Sequence, residues 1–155
     1  MTILQAGAKA PDFELQTDKG QTVTLSQFSG KKVVLFFYPK ANTTGCTKEA
    51  CSFRDEYADF QNRGIAVLGI SPDSVKAQAN FSGKYNFPYF LLADADHKTA
   101  EAYGVWAIKK MYGKEYYGIL RTTFIINEDG TILHVFEKVK PENHAQEVLE
   151  FLDTL

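Results

Sequence analysis

Two cysteines, Cys46 and Cys51, are the residues of this chain best suited to covalent chemistry. A thiolate is the nucleophile and a thiol is not, so what matters is whether the surroundings favour the anion. Cys46 follows Val33-Val-Leu-Phe-Phe-Tyr38, then Pro39-Lys-Ala-Asn-Thr-Thr-Gly45, a buried strand running into a polar turn. The spacing puts Cys46 at the start of the next helix. Free backbone N–H groups and the positive end of the helix dipole favour a thiolate there. In an open α/β sheet, the carboxyl end of a strand is also where functional sites lie. Cys46 could instead be a small core residue, but Pro39, Thr43 and Gly45 make a loop rather than a packed wall.

Cys51 lies on the same expected helix. In a regular helix the two Cα atoms are roughly 8–9 Å apart, whereas a disulfide needs them within about 7 Å. The two sulfurs therefore cannot bond while that turn is intact. If they react, residues 46–51 must unwind. Spacing alone leaves open whether Cys51 is reactive or a half-buried helix residue.

Several elements must position this pair. Asp12-Phe-Glu-Leu-Gln and Thr22-Val-Thr-Leu alternate around Thr-Asp-Lys-Gly and predict a short surface hairpin. Val33–Tyr38 and Ile65–Ile70 are continuous apolar runs, as expected of strands covered on both faces. Between them Cys46, Ala50, Phe53, Tyr57 and Phe60 form one apolar stripe, predicting a helix over residues 45–62 that Gly64 stops. Further helices are expected from Ser74 to before Phe87-Pro88, over Lys98–Tyr103, and from Pro141–Asn143 onward with Ala145, Val148, Leu149 and Leu152 inward. Phe90–Leu92 reads as a short strand. Thr122–Asn127 and Ile132–Phe136 flank a Glu128-Asp129-Gly130 turn, a hairpin signal. Alternating β and α units with a late hairpin predict a three-layer α/β/α sandwich with a mixed sheet.

Pro39-x-x-x-Thr43-x-x-Cys46 resembles the active-site motif of peroxiredoxins. The longer string from Tyr38 to Arg54 is similar to the peroxiredoxin Q group, the bacterioferritin comigratory proteins. The similarity continues through Tyr103-Gly-Val-Trp106, Lys110-Met-Tyr-Gly, Arg121-Thr-Thr-Phe, Asp129-Gly and Val139-Lys to His144, nearly the whole chain. Thr44, where the group usually carries proline, and Ala41, usually polar there, depart from it. The resemblance implies a thioredoxin-like fold with an N-terminal β-hairpin and a peroxidase that needs no metal, haem or flavin. It implies Cys46 as the peroxidatic and Cys51 as the resolving cysteine. Thr43 and Arg121 would contact peroxide and thiolate, Pro39 would shield the sulfur, and Glu49 would orient the arginine. Hydrogen peroxide or organic hydroperoxides would be substrates, and thioredoxin or a similar dithiol the reductant. Arg121 precedes a strand that could lie beside Val33–Tyr38, and its fork can donate to two oxygens at once.

Composition agrees. At 155 residues with 45% hydrophobic content, the chain suits one domain over residues 1–155. A net charge of −2 gives no basic excess for nucleic acid, and Lys31–Lys32 and Lys109–Lys110 read as solvated pairs. No signal-like segment or membrane-length apolar run is seen, which makes a cytoplasmic location the default. His97, His134 and His144 are scattered, and Cys-x₄-Cys is not zinc spacing. Trp106, Tyr103 and Phe87 read as core, the alternative being that they line the site as the helix unwinds, and Tyr112, Tyr116 and Tyr117 as a loop before Arg121 that could cover the site. With no obvious exposed apolar stripe, a monomer is expected. The rival readings are a dithiol–disulfide exchange protein or thiol-dependent chaperone, and a binding domain with incidental cysteines. Neither requires Pro39, Thr43 and Arg121 together.

Overall fold

In the computed structural model, which describes residues 2–155, the two continuous apolar runs become neighbouring strands inside one sheet. A hairpin of β1 (Glu14–Thr17) and β2 (Thr22–Thr24) and a 3-10 turn (Leu25–Phe28) lead into β3 (Val33–Phe37). Helices α1 (Thr44–Asp55) and α2 (Tyr57–Asn62) then precede β4 (Ala66–Ser71), α3 (Val75–Tyr85), β5 (Phe90–Ala93) and α4 (Lys98–Ala102). The chain continues through β6 (Trp106–Met111), β7 (Lys114–Ile119), β8 (Thr122–Ile126) and β9 (Ile132–Phe136) to α5 (His144–Leu152).

Seven strands form the sheet, in the order β2-β1-β5-β4-β3-β8-β9. The β3-β4-β5 centre is parallel, and β8, β9 and the first hairpin add antiparallel edges. Alternate residues of β3 feed two cores. Val34 and Phe36 join Ala50, Phe53, Phe60, Phe81 and Val148 beneath α1, α2, α3 and α5. Val33, Leu35 and Phe37 join Ala100, Tyr103 and Phe124 beneath α4 and the N-terminal segment. This is the expected α/β/α sandwich with a mixed sheet. Helix α3 starts where expected, with the Ser74 side chain accepting from the Ala77 N–H. Among the described residues no helix is long and apolar enough to cross a membrane.

Several expectations change in the structure. The helix over 45–62 is two helices, broken at Glu56, whose φ of −101° and ψ of 7° leave the helical region. The apolar stripe keeps its phase across the break, so periodicity could not report it. The first hairpin forms as expected, and Gln16 and Thr17 also pair with Ala93 and Leu92 of β5, which ties it into the sheet. The stretch before Arg121 is not a loop but a separate two-stranded sheet, β6 paired with β7 around Tyr112-Gly113. That hairpin exposes Ile108, Met111, Tyr112 and Tyr117, so the absence of exposed apolar residues no longer supports the expected monomer. Of the expected core trio, Tyr103 and Phe87 are buried, while half-buried Trp106 stacks on His97 at 4.0 Å.

Candidate active site

Strand β3 ends in the core at Phe37, and Tyr38 stays buried behind it. Its hydroxyl donates to Gln78 Oε1 at 2.6 Å. The chain then rises through Pro39, half-buried, to an exposed turn and enters α1 at Thr44. Thr44 takes the first helical position, the one that favours proline, and the helix starts without it. At Ala41, the other departure, the backbone N–H donates to Asp73 Oδ2 at 2.8 Å. Among the described residues no side chain caps α1, so its first N–H groups lack intrahelical and side-chain partners there. Cys46 is the third residue of this helix, where the dipole favours an anion.

Helical geometry puts residues three apart on one face, so Cys46 and Glu49 present adjacent groups. Arg121 meets both. It precedes β8, whose Thr122 pairs with Phe37, so the antiparallel register sets the arginine beside the end of β3. Its Nη2 donates to Cys46 Sγ at 3.2 Å, and its Nη1 donates to Glu49 Oε1 at 2.6 Å. Gly45 leaves room for the fork, since a methyl there would stand 3.3 Å from Nη2 and 3.5 Å from Pro141 Cγ. The guanidinium side chain is 18% exposed and the Glu49 side chain 0%. Burial pushes the Glu49 carboxyl up to about 7, although the Arg121 charge and hydrogen bond pull the other way. Its second oxygen, Oε2, is buried without a hydrogen-bond partner among the described residues.

Both cysteines are free thiols, and α1 is intact across them. Cys46 is buried, Cys51 half-buried, and burial raises the Cys51 thiol while Arg54 opposes the rise. The helix is tied down along its length. Tyr89 donates to the Ala50 carbonyl at 2.5 Å, and Ser52 Oγ donates to the Glu49 carbonyl while accepting from the Ala145 N–H. Lys48 pairs with Glu142 at 2.9 Å.

Cys46, Glu49 and Arg121 thus meet, and Cys51 lies about one and a half turns along the same helix. Thr43 is less engaged than expected. It is exposed, and its hydroxyl donates to the Lys40 carbonyl at 2.8 Å rather than to the sulfur. With that proton committed, Thr43 Oγ1 offers an incoming ligand an acceptor lone pair. Lys109 is a residue that sequence reasoning misses. It is half-buried, not solvated, and donates to the Ile119 carbonyl at 3.0 Å, two residues before Arg121.

A model of the AhpC/TSA family matches residues 6–135. Peroxiredoxin Bcp of Bacillus subtilis is 49% identical over 152 residues, covering 98% of this chain and 96% of the relative. Peroxiredoxin Bcp of Escherichia coli is 43% identical, covering 98% and 97%. Among solved structures, the bacterioferritin comigratory protein of Xanthomonas campestris, presented for its alkyl peroxide reduction activity, is similar with a TM-score of 0.90 and 37% identity. That match covers 96% of this chain and 98% of that one. A cysteine-to-serine mutant of Xylella fastidiosa PrxQ matches with a TM-score of 0.92 and 32% identity, covering 99% and 98%.

Proposed function

Since the chain belongs to the AhpC/TSA family, and within it to the peroxiredoxins, we propose that it reduces hydrogen peroxide and organic hydroperoxides through Cys46, with Cys51 resolving the product. The Cys46 thiolate attacks the terminal oxygen of the hydroperoxide. A sulfur–oxygen bond forms, the oxygen–oxygen bond breaks, and hydroxide or alkoxide leaves and takes a proton from water. Cys46 is then a sulfenic acid. The Cys51 thiol condenses with it, releasing water and leaving a disulfide. An external dithiol, thioredoxin or a similar protein, reduces that bond by exchange.

The observation that carries this reading is the 3.2 Å contact between Arg121 Nη2 and Cys46 Sγ. Charge in the displacement spreads from sulfur to the departing oxygen. A fixed cation with several donors along that line stabilises the transition state more than the ground state. Thr43 Oγ1 would accept the peroxide's O–H, and the uncapped N–H groups of α1 would face the attacked oxygen. Pro39 would keep water from the sulfur, and Glu49 would hold the guanidinium in place.

Exchange with protein disulfides is the weaker reading, because a sulfur in a residue 1% exposed is within reach of a small oxidant but not of a folded partner. After oxidation the same burial sets the next step. The disulfide requires residues 46–51 to leave the helix, breaking the Tyr89 and Ser52 contacts, and this unwinding brings the bond out to a reductant. Both cysteines must be thiols at the start of each cycle, which suits the reducing cytoplasm.

Stopped-flow mixing of reduced protein with peroxide tests the assignment, with Trp106 fluorescence and sulfenate trapping as readouts. Wild type should pass to a disulfide, Cys51→Ser should stop at sulfenate, and Cys46→Ser should be inert. Peroxide consumption by Cys46→Ser at the wild-type rate would overturn it.

A further inference from the structure

The turn that carries Thr43 is held from the end of a second strand. Strands β3 and β4 are parallel, with Phe37 beside Ile70, so the chain leaving β4 meets the chain leaving β3. Asp73, two residues past β4, reaches across to that turn. Its Oδ2 accepts from the Ala41 N–H at 2.8 Å and from the Ser71 hydroxyl at 2.6 Å. The first of these bonds is to backbone, so it is indifferent to the side chain at position 41.

The direction of every bond behind Asp73 is fixed. The Leu92 carbonyl can only accept, so the Gln78 amide must turn its Nε2 toward it, at 2.7 Å. The same nitrogen donates to Ser71 Oγ at 2.8 Å, while Gln78 Oε1 accepts from the Tyr38 hydroxyl. Ser71 therefore directs its one proton at Asp73. Tyr38, Ser71 and Gln78 are all buried, and turning any of them away would leave a polar group unpaired. A network spanning β3, β4, α3 and β5 thus sets the orientation of the carboxylate.

What the carboxylate holds is a single peptide unit. The Ala41 N–H and the Lys40 carbonyl belong to one trans peptide and point in opposite directions. Asp73 takes the N–H, and the carbonyl accepts the Thr43 hydroxyl at 2.8 Å. If that plane were free to rotate, the carbonyl would leave Thr43, whose proton would no longer be committed.

We propose that Asp73 is a positioning residue for the peroxide: by holding the 40–41 peptide it keeps Thr43 Oγ1 available as an acceptor for the hydroperoxide O–H. The proposal rests on the peroxidase reading in taking Thr43 as a contact of the peroxide. Asp73 itself touches no reacting atom.

The test compares Asp73→Ala and Asp73→Asn in the Cys51→Ser background, where Cys46 is the only thiol. Asp73→Ala should react with hydrogen peroxide about tenfold more slowly or worse. Alkylation by iodoacetamide, which has no oxygen–oxygen bond to align, should keep its parental rate or rise. The Ala41 amide, followed by NMR, should exchange about tenfold faster or more. Asp73→Asn retains an acceptor oxygen and should stay within about threefold of the parent in all three. Thermal melting establishes that each variant is folded, and Asp73→Ser, too short to reach Ala41, replaces Asp73→Ala if the latter is not. An unchanged peroxide rate in the short variant would overturn the proposal, as would equal losses against peroxide and iodoacetamide, or a loss in Asp73→Asn as large as in Asp73→Ala. A parent that reacts with peroxide no faster than free cysteine would instead sink the peroxidase reading, and the anchor would still stand or fall on the Ala41 exchange.

Discussion

Glu49→Gln isolates a single buried charge. The Glu49 side chain has no exposure, one oxygen bonded to Arg121 and the other without a partner among the described residues. Burial lifts its carboxyl from 4.5 to about 7, against the pull of Arg121. The folded value lies above the unfolded one, so between about pH 4.5 and 7 the folded state holds a proton that the unfolded state releases. The stability associated with the protonated form is therefore fully present below 4.5 and lost as pH rises through 7. At about 1.4 kcal/mol per unit, the loss is on the order of 3 kcal/mol. Glutamine keeps the shape and cannot ionise, so the variant lacks this loss. His144 works in the opposite direction, because burial lowers it and its stability is lost as pH falls. Both proteins share that residue, and it drops out of their difference. The assay is urea unfolding of the reduced wild type and Glu49→Gln between about pH 5 and 8. The difference should move in favour of the variant by on the order of 3 kcal/mol across that range. A flat difference would refute the reasoning, and a trend favouring wild type would show that Arg121 outweighs burial.

Three further outcomes follow from the same geometry. Arg121→Lys keeps the charge, but one amine cannot serve Glu49 Oε1 and Cys46 Sγ together, so kcat/KM for peroxide should fall about 10²-fold or more in steady-state assays. Ser52→Ala leaves the Ala145 N–H without its acceptor and loosens α1 by about 1 kcal/mol. If unwinding limits the second step, disulfide formation after a peroxide pulse should accelerate about fivefold, followed by Trp106 fluorescence. Gly69→Ala would put a methyl 2.7 Å from Phe36 Cζ and 3.0 Å from Leu91 Cδ2, and should lower stability by about 1–3 kcal/mol in urea unfolding.

The fold is legible where hydrophobic pattern and turn chemistry agree. Val33–Phe37, Ala66–Ser71 and the β8–β9 pair are long apolar runs with clear punctuation, and they appear as expected. The β6–β7 hairpin is not legible. Trp106-Ala-Ile-Lys-Lys-Met does not alternate cleanly, and its turn is Tyr112-Gly113, with φ of 52° and 76°, rather than Asn-Gly. Tyrosine rarely signals a left-handed turn position, so the segment reads as a loop.

Within the site, the Cys46 helix start follows from local sequence, and the meeting with Arg121 follows from the pairing of β3 with β8. Glu49 can be placed beside Cys46 by helical spacing alone. Two details depend on tertiary packing. Lys109 differs from Lys110 only in which face of a hairpin it occupies, and the pattern does not announce that hairpin. The Thr43 hydroxyl turns to the Lys40 carbonyl, a choice made by the local turn and invisible to a motif.

Arg121 and the start of α1 are held to accelerate the reaction of one sulfur with peroxide beyond simply making it a thiolate. The direct test is the second-order rate constant of Cys51→Ser with hydrogen peroxide, divided by its measured thiolate fraction and compared with free cysteine treated the same way. A ratio of about 10³ or more is the predicted result. A ratio near one would contradict the claim, leaving a buried, anionic cysteine with no catalytic surroundings.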